Sequence, residues 1–90
     1  GTNRSGTIAT GGTAQNAAAA LATRKYIYVE NPITEVERLW LDYTGTAVAD
    51  SPSIPLEPGQ WWANPPHFVP TGAISVIAAT TGHKFIAKEA

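Results

Sequence analysis

Within residues 25–90, apolar and polar residues alternate in short segments separated by glycine and proline, and this pattern constrains the fold most strongly. In the segment "KYIYVENP", Ile27 and Val29 fall on one face and Tyr28 falls on the other. In "EVERLWLDYTG", the two leucines share the apolar face. A period of two is the signature of a half-buried β-strand, because successive side chains point to opposite faces.

Two segments nearer the C-terminus repeat the pattern. "AISVIA" places Ile74 and Val76 on one face and Ile77 on the other, and "KFIAKE" places Phe85 inward and Ile86 outward. Turn dipeptides rich in proline and glycine recur about every ten residues, a spacing typical of small antiparallel proteins. We therefore predict an all-β fold: a small antiparallel β-sandwich or barrel of six to seven short strands with an extended N-terminal arm.

Residues 1–24 differ in composition, since Ile8 and Leu21 are their only large apolar residues. We predict that this segment is a flexible N-terminal arm and that residues 25–90 form the β-sandwich domain. Within the arm, residues 13–17 read as a short strand. The alanine run that follows reads as a turn or a short helical piece, because alanine favours helix but the run lacks an apolar stripe.

Composition limits the possible partners. Charged residues make up only 14% of the chain, against about 25% in typical globular proteins, and the net charge is -1. The absence of any basic run argues against nucleic acid, and no run approaches the ~20 apolar residues of a membrane span. The chain has no cysteine, and its two histidines lack metal-ligand spacing, so we expect no metal and no cofactor. A surface poor in charge suits a protein that is bound to a partner.

The stretch "EPGQWWANPPHFVPTG" contains two adjacent tryptophans, which a strand must send to opposite faces. Trp61 shares a side with Ala63, whereas Trp62 shares a side with Gln60 and Asn64. We therefore expect Trp61 in the core and Trp62 on the outer face. On this interpretation, Trp61→Ala costs about 3–5 kcal/mol of folding stability.

The alternation sends more bulky apolar side chains outward than a 90-residue chain normally leaves exposed. One interpretation is that the N-terminal arm or a loop covers some of them, Trp40 in particular. The other is that they form a contact with a neighbouring protein, because tryptophan is strongly enriched at binding hot spots. The candidate protein-interface residues are Trp40, Trp62, His67, Phe68, Ile77 and Ile86.

Catalytic patterns are missing from the sequence. None of the seven acidic residues forms a recognisable catalytic pair, and no nucleophile motif accompanies the serines. His67 and His83 are best explained as surface or hydrogen-bonded residues. We therefore predict no catalytic residues and a protein that is not an enzyme.

Four segments together suggest a family. They are "RKYIYVEN" (residues 24–31), "LWLDYTGTA", "PLEPG" and the C-terminal "VPTGAISVIAATTGHKFIAKEA". Over residues 24–90 the chain resembles small virion proteins of tailed bacteriophages, which are often encoded with the head-structure genes. The segment from Arg24 to Asn31 is one residue longer than the family's spacing, and the alanine-rich N-terminal part departs from the family pattern.

The resemblance implies a structural protein that decorates or cements the phage head through apolar protein–protein contacts. Its implied partner is the major capsid protein or another virion protein. The implied location is the capsid surface of the virion, with the host cytoplasm during assembly. By analogy we expect a homo-oligomer, and a trimer in particular. A head–tail connector or fibre-base component is an alternative within the same class.

Two alternatives come from other classes. Trp40 and Trp62 are candidate stacking platforms of a carbohydrate-binding β-sandwich module, which would bind glycans as a monomer. A small barrel that binds single-stranded nucleic acid would need a positive groove beside its aromatic residues. The scattered basic residues and the net charge of -1 disfavour the barrel.

Overall fold

The computed structural model describes residues 1–90 and has nine short strands in two antiparallel sheets, with no helix. The prediction of a small all-β fold is confirmed. The strands are β1 (Thr2–Asn3), β2 (Gly6–Thr7), β3 (Gln15–Ala18), β4 (Ile27–Glu30), β5 (Leu39–Asp42), β6 (Ile54–Leu56), β7 (Trp61–Ala63), β8 (Ile74–Ile77) and β9 (Lys84–Glu89).

Sheet 1 has five strands, in which β1 and β2 pair with one side of β9, β4 pairs with the other side, and β7 forms the far edge. Sheet 2 has the order β3-β8-β5-β6. The core lies between the inner faces of the two sheets. Its fully buried members come from the alternating positions of the central strands, and include Ile27, Val29, Leu39, Leu41, Ile74 and Val76.

Residues 1–24 do not form an arm separate from the sandwich, in contrast to the prediction. They contribute β1 and β2 to sheet 1 and β3 to sheet 2, and Ile8 is a core residue with 1% exposure. Gly11 approaches the 78–81 turn so closely that a Cβ atom there would lie 2.3 Å from the carbonyl oxygen of Ala79. The short strand predicted at residues 13–17 overlaps β3, whereas β1 and β2 were missed because two-residue strands are too short to show alternation.

The alanine run is extended rather than helical. β3 ends at Ala18, and both Ala17 and Ala18 are buried against the core. Pairing with β8 supplies the backbone hydrogen bonds that a helix would otherwise provide. Tertiary context therefore overrides the helix propensity of alanine, which is a weak preference for a segment this short.

A buried ion cluster ties both ends of the chain to the sandwich. Glu89 accepts hydrogen bonds from Arg24 and Arg4, both at 2.7 Å. The Arg24 side chain has 0% exposure and also donates to the carbonyl oxygens of Pro70, Gly72 and Ala19. One arginine therefore joins β9 to the β7–β8 connection and to the segment that follows β3.

The environment of Glu89 lowers the pKa of its carboxyl group. Burial acts in the opposite direction and raises the pKa, but the hydrogen bonds and positive charges of Arg24 and Arg4 together outweigh it. Because the folded-state pKa lies below the ordinary value, ionised Glu89 stabilises the fold above about pH 4.5. That stability is lost as the pH falls from there through the folded-state pKa.

We expect Glu89→Gln to lower the free energy of unfolding at neutral pH by about 1.5–3 kcal/mol, because charge-assisted hydrogen bonds are lost. The difference from wild type should shrink as the pH falls below the carboxyl range, where Glu89 is protonated in both states of the wild type. Urea unfolding at a series of pH values measures both quantities. A difference that stays constant down to strongly acidic pH contradicts this account.

We expect Ile8→Ala to lower the free energy of unfolding by about 2–5 kcal/mol, because it leaves a cavity in the core. Ile33→Ala is the matched control, since the same side chain at position 33 is 79% exposed and its truncation should have little effect. Urea denaturation of both variants gives the comparison. Equal effects of the two substitutions would show that the N-terminal segment does not belong to the core.

Candidate interaction surface

The two adjacent tryptophans occupy the opposite faces from those predicted. β7 pairs with β4 so that Trp62 lies opposite Val29 and Trp61 lies opposite Glu30. Val29 points into the core, and Trp62 therefore packs against it, half-buried. Trp61 lies on the outer face and is 60% exposed. Alternation shows that the two indoles point apart, but only the register with β4 decides which of them is inside.

Trp62 belongs to an aromatic cluster at the open edge between the sheets. Its ring stacks on Tyr43 with centroids 5.3 Å apart, and Phe68 packs on Tyr43 at 5.9 Å. Phe68 and His67 are exposed on the connection that crosses from β7 to β8. The prediction that Trp62 is an outward interface residue is therefore wrong, while Phe68 and His67 do reach the surface.

Trp40 and Ile77 lie opposite each other on the outer face of sheet 2. Ile77 is only 9% exposed, so little of its side chain is available for the predicted surface contact. Trp40 is half-buried, with the guanidinium of Arg38 5.4 Å from its ring centroid, and Arg38 itself pairs with Glu57. This side of the sandwich is partly covered by its own chain, but Trp40, Ile77 and Ala49 still line an apolar groove of about 330 Å³.

The cover comes in part from the loop of residues 43–53. The Ala47 amide donates to the Ser75 hydroxyl, and the Val48 amide donates to the Ser53 hydroxyl. Burial raises the pKa of Asp42, but hydrogen bonds from Thr44 and Ser53 outweigh burial, so the net effect lowers it. An ionised Asp42 thus anchors the loop over sheet 2. The interpretation that a loop covers outward apolar residues therefore holds only in part, because Ala49 of this loop lies beside Trp40 and Ile77 but leaves both on an open groove.

The outer face of sheet 1 has no such cover. Tyr26, Tyr28, Trp61 and Ile86 lie together there, and we call these four residues the aromatic face. The prediction that Ile86 points outward is confirmed, and its side chain is half-buried among its neighbours. Tyr26, Tyr28 and Ile86 line a shallow groove of about 310 Å³.

Tyr28 is at the centre of the aromatic face. Its ring stacks on Trp61 with centroids 5.6 Å apart and an interplanar angle of 25°. Its hydroxyl group donates a hydrogen bond to the Glu30 carboxylate. That hydrogen bond, together with burial and the negative charge of Glu30, raises the pKa of Tyr28 to about 12. Both rings are therefore held in place before any partner arrives.

Lysines border the aromatic face. Lys84 and Lys88 are exposed on the outer side of β9, with Ile86 between them, and Lys88 lies opposite Tyr28. Neither lysine forms an ion pair, whereas all three arginines pair with carboxylates. The face therefore combines apolar rings with the Glu30 carboxylate, which lies opposite both Trp61 and Ile86, and it carries free positive charge along β9.

The six predicted interface residues do not form one surface. Trp40 and Ile77 lie on sheet 2, Ile86 lies on the outer face of sheet 1, and Trp62, His67 and Phe68 lie at the open edge between the sheets. Trp61 is the residue that the sequence interpretation missed. The only signal in the sequence was the polar Gln60 and Asn64 beside Trp62, which suggested the wrong face.

The second histidine has a structural role. His83 has a 1% exposed side chain, and its Nε2 atom lies 2.8 Å from Oδ1 of the buried Asn31. Because Nδ2 of Asn31 donates to the carbonyl oxygens of Glu37 and Leu56, its Oδ1 must act as the acceptor. The Nε2 atom of His83 therefore carries a proton. This agrees with the interpretation of His83 as a hydrogen-bonded residue.

No group of three histidine, cysteine, aspartate or glutamate side chains is arranged to hold a metal ion. The structure contains no helix with the length and hydropathy of a membrane span. No protein-family model, curated protein or solved structure matches the chain. The aromatic face is therefore the feature from which a function can be argued.

We expect an ultraviolet pH titration to show Tyr28 ionising near pH 12 because of its hydrogen bond to Glu30. In Glu30→Gln, which removes the negative charge, this ionisation should move back toward the ordinary value of 10.0. Tyr28→Phe identifies which of the three tyrosine transitions is affected. A titration curve that Glu30→Gln leaves unchanged contradicts the assigned hydrogen bond.

Proposed function

We propose that this protein is a non-enzymatic structural protein that attaches to other proteins through its aromatic face. The observation that carries the proposal is Trp61, a 60% exposed indole that stacks on Tyr28 in an apolar patch bordered by unpaired lysines. The resemblance of residues 24–90 to small phage virion proteins suggests the setting: a decoration or cement protein on the capsid surface. Its partners are then the major capsid protein and further copies of itself.

The physical properties of the aromatic face suit such a contact. A large aromatic ring that becomes fully desolvated at an interface commonly contributes about 2 kcal/mol or more to binding. Ordering a flexible side chain on binding opposes association by roughly 0.5–1.5 kcal/mol. Stacking and the Tyr28–Glu30 hydrogen bond already restrict the rings of Trp61 and Tyr28. Most of the entropy cost of ordering these side chains on binding is therefore absent.

Cementing requires a protein that prefers the assembled shell to its free components. Any ligand that binds only the assembled state stabilises it, and the stabilisation grows with the ratio of ligand concentration to the dissociation constant. A rigid β-sandwich with a preformed apolar face meets this requirement without catalysis. A head–tail connector or a fibre-base protein needs the same property, and remains an alternative position on the particle.

A carbohydrate-binding module is the second candidate. The feature that favours it is the position of Trp61 and Tyr28 on the outer side of a sheet, with Glu30 and Lys88 as polar neighbours. Such a module binds a glycan as a monomer. Binding to a glycan array that is lost in Trp61→Ala, without any association between proteins, would favour this candidate over a virion structural protein.

We expect Trp61→Ala to weaken protein association by more than about 2 kcal/mol while leaving the far-ultraviolet circular dichroism unchanged. Association is measured by light scattering of the purified protein and by cosedimentation with preassembled shells. Phe68→Ala is the matched control, because Phe68 is also an exposed aromatic residue but lies at the open edge between the sheets, away from the aromatic face. Trp62→Ala should lower folding stability instead, since Trp62 packs against the core.

Full association of Trp61→Ala with both the shell and other copies would contradict the role of the aromatic face. A protein that stays monomeric and binds no shell would contradict the structural function as a whole. The two results can be told apart, because the first is measured on the Trp61→Ala variant and tests one surface, whereas the second is measured on the wild-type protein and tests whether it associates at all.

A further inference from the structure

The edge strands of the two sheets differ in how their unpaired backbone groups are protected. An edge strand offers a row of free N–H and C=O groups that can pair with another chain, and proteins usually block such edges. On sheet 2, β6 contains Pro55, which has no N–H group, and β3 contains an irregularity between Asn16 and Ala18. Both edges of sheet 2 are therefore poor templates for a further strand.

The edge of sheet 1 that β1 and β2 form is capped by side chains. The Ser5 amide donates a hydrogen bond to Oδ1 of Asn3 at 3.1 Å. The Ala9 amide donates to Oε1 of Gln15 at 2.7 Å, and Nε2 of Gln15 donates to the Thr7 carbonyl oxygen at 2.9 Å. Backbone groups on this edge are therefore already satisfied by the chain itself.

β7, the other edge of sheet 1, has no such protection. It consists of Trp61, Trp62 and Ala63, with no proline and no charged residue, and its register with β4 is regular. The Asn64 amide donates to the Ile27 carbonyl oxygen at 3.2 Å, so the even-numbered residues of this segment face β4. Because only every second residue of an antiparallel strand bonds to a given neighbour, Trp61 and Ala63 direct their N–H and C=O groups away from the sheet.

The unprotected part of this edge is short. Before β7, the Gly59 amide is used by the Asn31 carbonyl oxygen at 2.7 Å. After β7, Pro65 has no N–H group, and its carbonyl oxygen accepts from the Phe68 amide. A strand that pairs with this edge therefore finds free donors only at Trp61 and Ala63.

We propose that β7 pairs antiparallel with β7 of a second copy of this chain, about a two-fold axis at Trp62. In this register, Trp61 of one copy lies opposite Ala63 of the other, and each such pair exchanges two N–H···O=C hydrogen bonds. These bonds use all the free backbone groups of Trp61 and Ala63 on both copies, which no other antiparallel register of the two strands does. The pairing joins two five-stranded sheets into one.

The side chains of β7 suit this register. On the outer side, the large indole of Trp61 lies opposite the small Ala63 of the second copy, which leaves room for the ring. On the inner side, the half-buried Trp62 rings of the two copies meet at the axis, where side chains of a non-hydrogen-bonded pair approach most closely.

Like charges stay apart across this contact. Glu30 lies opposite Trp61 on the next strand, and Tyr28 lies opposite Ala63, so Glu30 shares a row with Tyr28 of the second copy. The Glu30 carboxylates of the two copies are then at least three strand spacings apart, about 14 Å, which exceeds the Debye length at physiological salt. Nothing in the charge of sheet 1 therefore opposes the pairing.

The contact goes beyond the proposed function, because backbone groups at the edge of sheet 1 form it whichever protein covers the aromatic face. The same strand contributes on both copies, so the contact is isologous and closes at two copies. The expected assembly is therefore a dimer rather than the trimer expected by analogy.

The test uses two variants of the full chain at one position. Ala63→Pro removes an edge donor that has no partner within the chain, a position at which a strand tolerates proline. Ala63→Ser is the matched control, because it keeps the amide. Light scattering should give twice the mass of one chain for wild type and for Ala63→Ser, whereas Ala63→Pro should raise the dissociation constant of the dimer at least about tenfold. Circular dichroism verifies that both variants fold.

Amide hydrogen exchange of the wild-type protein provides a second measurement that needs no variant. Exchange at Trp61 and Ala63 should slow as the protein concentration rises, because these amides are bonded only in the dimer. The Trp62 amide, which faces β4, is the internal control and should exchange slowly in both monomer and dimer.

Three results would overturn the inference: a wild-type protein that is monomeric at all concentrations, an assembly of three or more copies, or an Ala63→Pro variant with the wild-type dissociation constant. Protection of the Trp61 and Ala63 amides only after a preassembled shell is added would show that a strand of the shell, and not a second copy, occupies the edge. The proposed function is decided separately, by whether Trp61→Ala still binds the shell.

Discussion

The register between β4 and β7 determines the surface chemistry of this protein. With Val29 opposite Trp62, one indole completes the core and the other stands on the outer face. A slip of one residue would exchange the two side chains and place the exposed ring inside. The backbone bonds beside this pairing, from Asn31 to Gln60 and from Gly59 to Asn31, hold the register at the end of the strand pair.

The same pairing creates a difference between the two outer faces. On sheet 2, the loop of residues 43–53 lies over part of the outer face and Arg38 lies over Trp40, while Trp40 and Ile77 still line an apolar groove. On sheet 1, the stacked rings of Trp61 and Tyr28 remain exposed. A 90-residue chain has only one thin core, so it cannot bury aromatic residues on both outer faces. The uncovered face is the surface to which we assign the proposed protein contact.

Alternation predicted the central strands well, because Ile27, Val29 and the leucines of β5 lie on the faces that their periodicity indicates. The two strands of the first seven residues were not predictable, since their positions depend on hydrogen bonds to β9, which lies far away in the sequence. For the candidate site, the outward direction of Ile86 followed from local pattern. The exposure of Trp61 did not, because it depends on the partner strand.

The hydroxyl group of Tyr28 is already occupied by Glu30, and this has a consequence for selectivity. A surface that offers an unsatisfied hydrogen-bonding group can reject a ligand without the matching group by about four orders of magnitude or more. A surface that offers only ring faces discriminates by shape, and one methylene group more or less changes its preference by roughly 10–200-fold. The rings of this face would therefore select a binding partner mainly by shape, and strict discrimination would come from the Glu30 carboxylate and from the lysines of β9.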